Sequence, residues 1–298
     1  MKKNIDKIAF QEAIYRFHVR YLQLLTYFRI KYHSIQKSTK NKIFVVLRFD
    51  DATIDQYEIG FPLVESFGVK AMLAVPTSFI GMPKVVEGER VLKPIDDFRK
   101  LRELICKGWD VVPHGRNHLL NGSYMLMRYD QLVSEVVGAI SDFIKYLDVM
   151  PYCFVPPGII THKNPLGKRE LKLMSTYYKI IFLNSGYNYP MPILNDFTKI
   201  HKVLERNKTA YIWSIPVTDS DKWVQHFISL AKDCRYIKTA PIVIVLFLHE
   251  IYENSAQKTK YGFSALRLKK LINGLLDLGI PITTFTELMA MGSEAIIQ

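Results

Sequence analysis

Three short stretches of the chain carry residue types and spacings that could do chemistry. The apolar run IFVVLRF at 43–49 is followed at once by Asp50 and Asp51. Two adjacent carboxylates leaving a buried strand are costly unless something compensates them, and a divalent cation would. Neighbours on an extended chain point to opposite sides, so one carboxylate could bind a metal while the other faces a substrate. A helix N-cap at Asp51 or Thr53 would also account for an acidic residue here. The second stretch is His114-Gly-Arg-Asn-His118, directly after the strand-like WDVVP at 109–113. Histidines four apart share a face if the segment is helical, and one ion can bridge them. With Asp51 they would form a set of two histidines and one carboxylate. Three protein ligands leave room for water and substrate, as in a catalytic metal site. The third is His249, at the end of IVIVLFL (242–248). It is in a position to act as a general acid, and a strand-end histidine bonded to backbone is the plainer alternative.

These residues need elements to hold them. From residue 43 onward, β-branched apolar runs alternate with helical patterns. Strands are predicted at 43–49, 71–76, 109–113, 152–156, 179–185, 210–215 and 242–248, with PITTF (281–285) closing the series. Helices are predicted at 55–67 (stopped by Gly68), 96–107 (stopped by Gly108), 129–147, and over SALRLKKLINGLLDLG (264–279). This alternation predicts a parallel α/β architecture, either barrel or open sheet. In such folds the chemistry collects at the C-terminal ends of the strands, and the three stretches above all sit at such ends.

Residues 1–42 read as a separate segment. FQEAIYRFHVRYLQLLTYFRIKYH (10–33) spaces apolar and aromatic residues three and four apart with Arg and Lys between, the pattern of an amphipathic helix. It could lie on an anionic membrane surface or pack across the main domain. KSTKNK (37–42) then reads as a polar linker to a domain spanning 43–298.

The composition excludes more than it selects. The chain has 298 residues, 49% of them hydrophobic, long enough for one large core. Three cysteines, Cys106, Cys153 and Cys234, make a poor disulfide framework and fit a reducing compartment. Glu12, Arg16, His18 and Arg20 interrupt any signal-peptide apolar core, and the longest apolar run, PIVIVLFL (241–248), is too short to span a bilayer. The expectation is a cytoplasmic protein. A net charge of +12 suggests attraction to something acidic, such as anionic lipid or a nucleotide- or phospholipid-linked sugar. The lysines are scattered, so no compact basic motif marks a nucleic-acid binder.

Five elements in order give the chain a resemblance to the polysaccharide deacetylase superfamily, also called the NodB-homology domain or carbohydrate esterase family 4. RFDDA (48–52) resembles the family's TFDDG motif, and HGRNH (114–118) its His-x-x-x-His motif. FVPPG (154–158) resembles its Arg-Pro-Pro motif, DSDKW (219–223) is a loose counterpart of its Asp/Trp motif, and FLHE (247–250) resembles its Leu-x-His motif. The resemblance covers residues 43–290. It implies a distorted (β/α) barrel, here with an added N-terminal helix. It also implies a metal-dependent hydrolase that removes an N-acetyl or other acyl group from an amino sugar.

By the same resemblance, Asp51, His114 and His118 would hold one divalent metal ion, zinc by default, with manganese, cobalt or nickel also fitting the ligands. Asp50 would be the general base and His249 the general acid. Pro156, Pro157, Gly158 and Trp223 would line the substrate, with the Gly158 N–H at the oxyanion position. Three aromatics, Trp213, Trp223 and Tyr187, are candidates for stacking on sugar rings. Three departures stand out: the family's glycine after the aspartate pair is Ala52, its motif arginine, which orients the base, is replaced by Val155, and a one-residue shift of the proline pairing would put Pro157, which has no N–H, at the oxyanion position in place of Gly158. Arg48 and Arg116 are the candidates to take over that task. The motif version resembles deacetylases of surface-polysaccharide gene clusters, with a deformylase or another amidase using the same metal site as an alternative. A catalytically weak barrel that binds glycan or membrane is a further one.

Overall fold

A computed structural model describes residues 42–119, 127–158, 166–185, 195–234 and 241–297. The expected N-terminal helix and Tyr187 lie outside the described residues. Seven parallel strands form one sheet in the order β5-β2-β1-β10-β9-β7-β6. They are β1 (Ile43–Asp50), β2 (Met72–Val75), β5 (Asp110–Pro113), β6 (Cys153–Phe154), β7 (Ile180–Asn184), β9 (Ala210–Pro216) and β10 (Ile242–Leu248). The two ends of this path meet: the Val155 N–H, just past β6, donates to the Pro113 carbonyl at the end of β5 at 3.0 Å. The sheet is thus a nearly closed barrel, which decides between the barrel and open-sheet readings. A short β8 (Asn195–Asp196) pairs antiparallel with β10. Two small pairs complete the described strands, the antiparallel hairpin of β3 (Val85–Glu87) with β4 (Arg90–Leu92) and the parallel pair of β11 (Ile251–Tyr252) with β12 (Phe263–Ser264).

Alternation along the strands separates two layers of side chains. On β1, Ile43, Val45, Leu47 and Phe49 face outward into a core shared with the helices Phe98–Cys106, Asp221–Cys234 and Ala265–Asp277. Phe44 and Val46 face the barrel interior, together with Met72, Ala74, Val155, Phe182, Ile212, Val243 and Val245. By the same parity Arg48 and Asp50 also face the interior. Every residue of β1 is buried, so its pairing register is tightly specified: a slip by one residue would turn the ionic pair outward and the aliphatic residues inward.

The predicted elements are recovered, with two differences. PITTF contributes no strand; Ile282 makes an isolated parallel bridge to Val45, and the helix Phe285–Ile297 follows. The helices predicted at 55–67 and 129–147 each contain one π-helical turn, Gln56–Gly60 and Ser134–Gly138. Such turns are seldom selected unless they deliver a side chain somewhere useful. Here they present Gln56 and Glu135, both buried.

Candidate active site

The C-terminal ends of β1, β5 and β10 bring the predicted residues to one place. Asp51, His114 and His118 are all buried, and their ligand atoms lie within 4.8 Å of one another. Asp51 Oδ1 is 3.1 Å from His118 Nε2 and 3.6 Å from His114 Nε2. Asp51 Oδ1 is buried and accepts no well-formed hydrogen bond, its near polar neighbours being these two ring nitrogens. Two nitrogens and an oxygen bound to one zinc ion at about 2.0–2.1 Å in tetrahedral array would be about 3.3 Å apart, close to both separations. The donor set and its orphaned oxygen therefore fit a divalent cation.

The outer contacts of the histidines fit as well. His114 Nδ1 lies 2.8 Å from the Val155 carbonyl, which can only accept, so Nδ1 carries the proton and Nε2 keeps its lone pair for the centre. His118 Nδ1 donates to Glu87 Oε1 at 2.6 Å. Charges agree too. Among the described residues, Asp50, Asp51, Glu87 and Glu250 pair with two fixed cations, Arg48 and Arg90, leaving a formal charge of −2 when both histidines are neutral. A divalent ion would balance it.

Without an ion, protons take up part of that load. Burial opposes ionisation of Asp51, but His118, His249 and Arg90 outweigh it and hold its carboxyl well below the usual carboxylate range. Burial also opposes a charge on His118, but Asp51 and Glu87 prevail and push it up to about 10. Burial dominates at His114, whose pKa falls to about 4.

The loop geometry explains why these residue types are tolerated here. Asp51 and Ala52 both have positive φ, 81° and 50°, as does His118 at 50°. A non-glycine residue in this region is strained by roughly 1–3 kcal/mol. Ala52 thus stands in a conformation that a glycine adopts freely, which is the residue the resemblance leads one to expect there. Gln56 offsets the strain by tying two strand ends together. Its Nε2 donates to the Asp50 carbonyl at 2.6 Å and to the His249 carbonyl at 3.0 Å, and its Oε1 accepts from the Thr53 N–H. Glu135 does the same for the histidine loop, accepting from the Asn117 backbone and side chain. Gly115 has φ +75°, and a Cβ there would lie 2.7 Å from Glu135 Oε2.

Asp50 is held by Arg48. The guanidinium donates from Nε to Oδ1 at 2.6 Å and from Nη2 to Oδ2 at 2.8 Å. Ser214 Oγ of β9 and Asn184 Oδ1 of β7 accept from the remaining N–H groups. The rings of Phe247 and Phe182 lie against it, centroids 5.1 and 5.9 Å from Cζ. Arg116, the other candidate, is paired instead with Asp142 at 3.0 Å. The Val155 side chain lies in the interior cluster and has no polar group to offer the base.

The remaining expected residues fall as follows. His249 is half-buried at the end of β10, its ring 5.7 Å from that of Tyr261. Pro156 and Pro157 are buried beyond β6; Gly158 has φ +82°, and its carbonyl accepts from Asn184 Nδ2. Trp223 is half-buried, stacked on Phe227 at 5.2 Å and packed against the outer core. Its motif partner Asp219 accepts from Tyr252, the Ser264 N–H and Arg267, a structural knot beside the site. Trp213 packs outside the barrel near Leu183 and Met174. Sequence reasoning missed Glu87, Arg90, Gln56 and Glu135. Glu87 and Arg90 sit on a hairpin too short to show a period, and the other two sit in helices read only for their apolar faces.

No protein-family model matches the chain, and no curated protein matches it. Solved structures do. The peptidoglycan N-acetylglucosamine deacetylase Bc1960 aligns at TM-score 0.52 and 12% identity, over 85% of this chain and 91% of that one. Peptidoglycan deacetylase PdaC from Bacillus subtilis aligns at 0.50 and 13%, over 85% and 92%. BA3943 from Bacillus anthracis, described as a carbohydrate esterase family 4 pseudoenzyme, aligns at 0.50 and 14%, over 84% and 66%. At such identities the likeness concerns the fold alone: the chain shares the barrel fold of these carbohydrate esterase family 4 and peptidoglycan deacetylase structures.

Proposed function

We propose that the protein is a metal-dependent hydrolase that removes an N-acetyl group from an amino sugar. The observation that carries this is the buried triad of Asp51, His114 and His118 with its orphaned Asp51 Oδ1, set beside Asp50 and His249. A divalent ion bound there would supply a Lewis acid for the amide carbonyl and a more acidic water. Asp50, aimed by Arg48, would take a proton from the attacking water. His249, just past the end of β10, would give a proton to the leaving amine nitrogen as the C–N bond breaks. The Gly158 N–H is assigned to the developing oxyanion, with Pro156, Pro157 and Trp223 along the substrate. The fold neighbours described as peptidoglycan deacetylases support an acylated amino sugar as the substrate class. The Arg48–Asp50 pair weighs against a catalytically weak barrel, because the base retains its guanidinium partner.

The excess of basic residues supports an acidic substrate such as a nucleotide- or lipid-linked sugar, in bacterial surface-polysaccharide or glycolipid biosynthesis. No helix among the described residues is long and apolar enough to cross a membrane. Our reading places the protein in the cytoplasm. The test is acetate release from a panel of free, nucleotide-linked and lipid-linked acetamido sugars, before and after chelation and with zinc, manganese, cobalt or nickel restored. Acetate that appears only with metal supports the reading. Formate release from N-formyl analogues alone would turn it toward a deformylase, and no acyl release from any of them would sink it.

A further inference from the structure

The β3–β4 hairpin carries two side chains that reach the triad from outside. Glu87 and Arg90 are cross-strand partners flanking the turn at Gly88 and Glu89. Both side chains are largely buried, whereas Val86 and Val91 on the other face are 62% and 60% exposed. Glu87 Oε1 holds His118 Nδ1 at 2.6 Å. Arg90 Nη2 donates to Asp51 Oδ2 at 2.7 Å and to Glu250 Oε1 at 3.0 Å, with its guanidinium 4.8 Å from the Tyr261 ring centroid. A fixed cation beside a metal-binding carboxylate opposes the ion electrostatically, so affinity does not explain it. Geometry does. A carboxylate with two free oxygens can chelate, and two histidines with a chelating carboxylate would fill a four-coordinate ion. With Oδ2 occupied by Arg90, only Oδ1 is left to the ion.

We propose that this hairpin is a clasp for the metal centre: Glu87 fixes the ring of His118, and Arg90 restricts Asp51 to one-oxygen ligation. The proposal rests on the metal reading above. Both are positioning residues, acting through the ligands.

The test is titration of the metal-free full-length protein with Co2+, followed by calorimetry for affinity and by visible absorption for coordination. The variants are Glu87→Gln, Arg90→Gln and Arg90→Lys. Glu87→Gln is expected to weaken Co2+ binding about 10–100-fold. Arg90→Gln is expected to bind Co2+ as tightly as wild type or more tightly, with an altered visible spectrum and a fall in kcat larger than any change in KM. Arg90→Lys, whose ammonium still holds Oδ2, returns the spectrum toward wild type. Wild-type affinity in Glu87→Gln overturns the role of Glu87, and a wild-type spectrum in Arg90→Gln overturns that of Arg90. Circular dichroism separates loss of metal from loss of fold. Should a glutamine variant not fold, Glu87→Asp and Arg90→Lys carry the comparison, with weaker affinity expected from the first and an unchanged spectrum from the second. Wild-type protein that takes up no Co2+ would sink the metal reading itself and the clasp with it, an outcome distinct from failure of the clasp alone.

Discussion

Arg48 and Asp50 stand two residues apart on the interior face of β1, joined by two hydrogen bonds of 2.6 and 2.8 Å. Neither side chain meets solvent. Strand parity alone makes this contact possible, since residues i and i+2 share a face. It supplies from the same strand the guanidinium that the resemblance placed after β6.

Removing one partner of a buried pair leaves the other charge uncompensated. Arg48→Met is therefore expected to cost roughly 3–5 kcal/mol of stability and to lower kcat sharply. Adding Asp50→Asn to it should restore most of the stability and none of the turnover. Denaturant midpoints and acetate release on the two variants check this. Full stability in Arg48→Met alone would show that the pair is not the anchor of the base.

Metal uptake should release protons in proportion to the protonation of the empty site. His118, raised to about 10, is charged at pH 7, while His114, lowered to about 4, is a neutral imidazole and Asp51 a carboxylate there. About one proton should leave per ion bound near neutrality. A raised folded pKa adds stability that is fully present below the unfolded value near 6.5 and is lost as pH rises through about 10. The metal-free protein should thus lose stability at alkaline pH, while apparent metal affinity rises with pH up to about 10. Calorimetry in buffers of differing ionisation enthalpy measures the proton count; a count near zero would contradict the assignment.

Gly115 is held by both conformation and space. Gly115→Ala would need φ +75° and would press its Cβ on Glu135. We expect a stability loss of about 1–3 kcal/mol together with weaker metal binding, because Glu135 anchors the loop between the two histidines. Thermal unfolding with and without metal separates the two effects.

Much of the site was legible because it lies at strand ends. Apolar runs of β1 and β10 end in Asp50 and His249, and a reader needs only the alternation of strand and helix to bring them together. The barrel itself was not separable from an open sheet, since closure depends on Val155 meeting Pro113 across residues that periodicity does not pair. His114 and His118 do meet, but through left-handed turns at Gly115 and His118 and not as one helical face. Arg48 was visible as a candidate and Arg116 equally so; only the strand face decides between them. Glu87 and Arg90 left no signal, because a hairpin of three-residue strands has too few residues for a pattern. The π turns carrying Gln56 and Glu135 read as ordinary helix.

The central claim is that Asp50 does chemistry and Asp51 holds the ion. It is tested most directly by Asp50→Asn, measuring bound metal and acetate release on the same sample. The account predicts about one equivalent of metal, as in wild type, with acetate release down by at least about 100-fold. Wild-type turnover in that variant would contradict it.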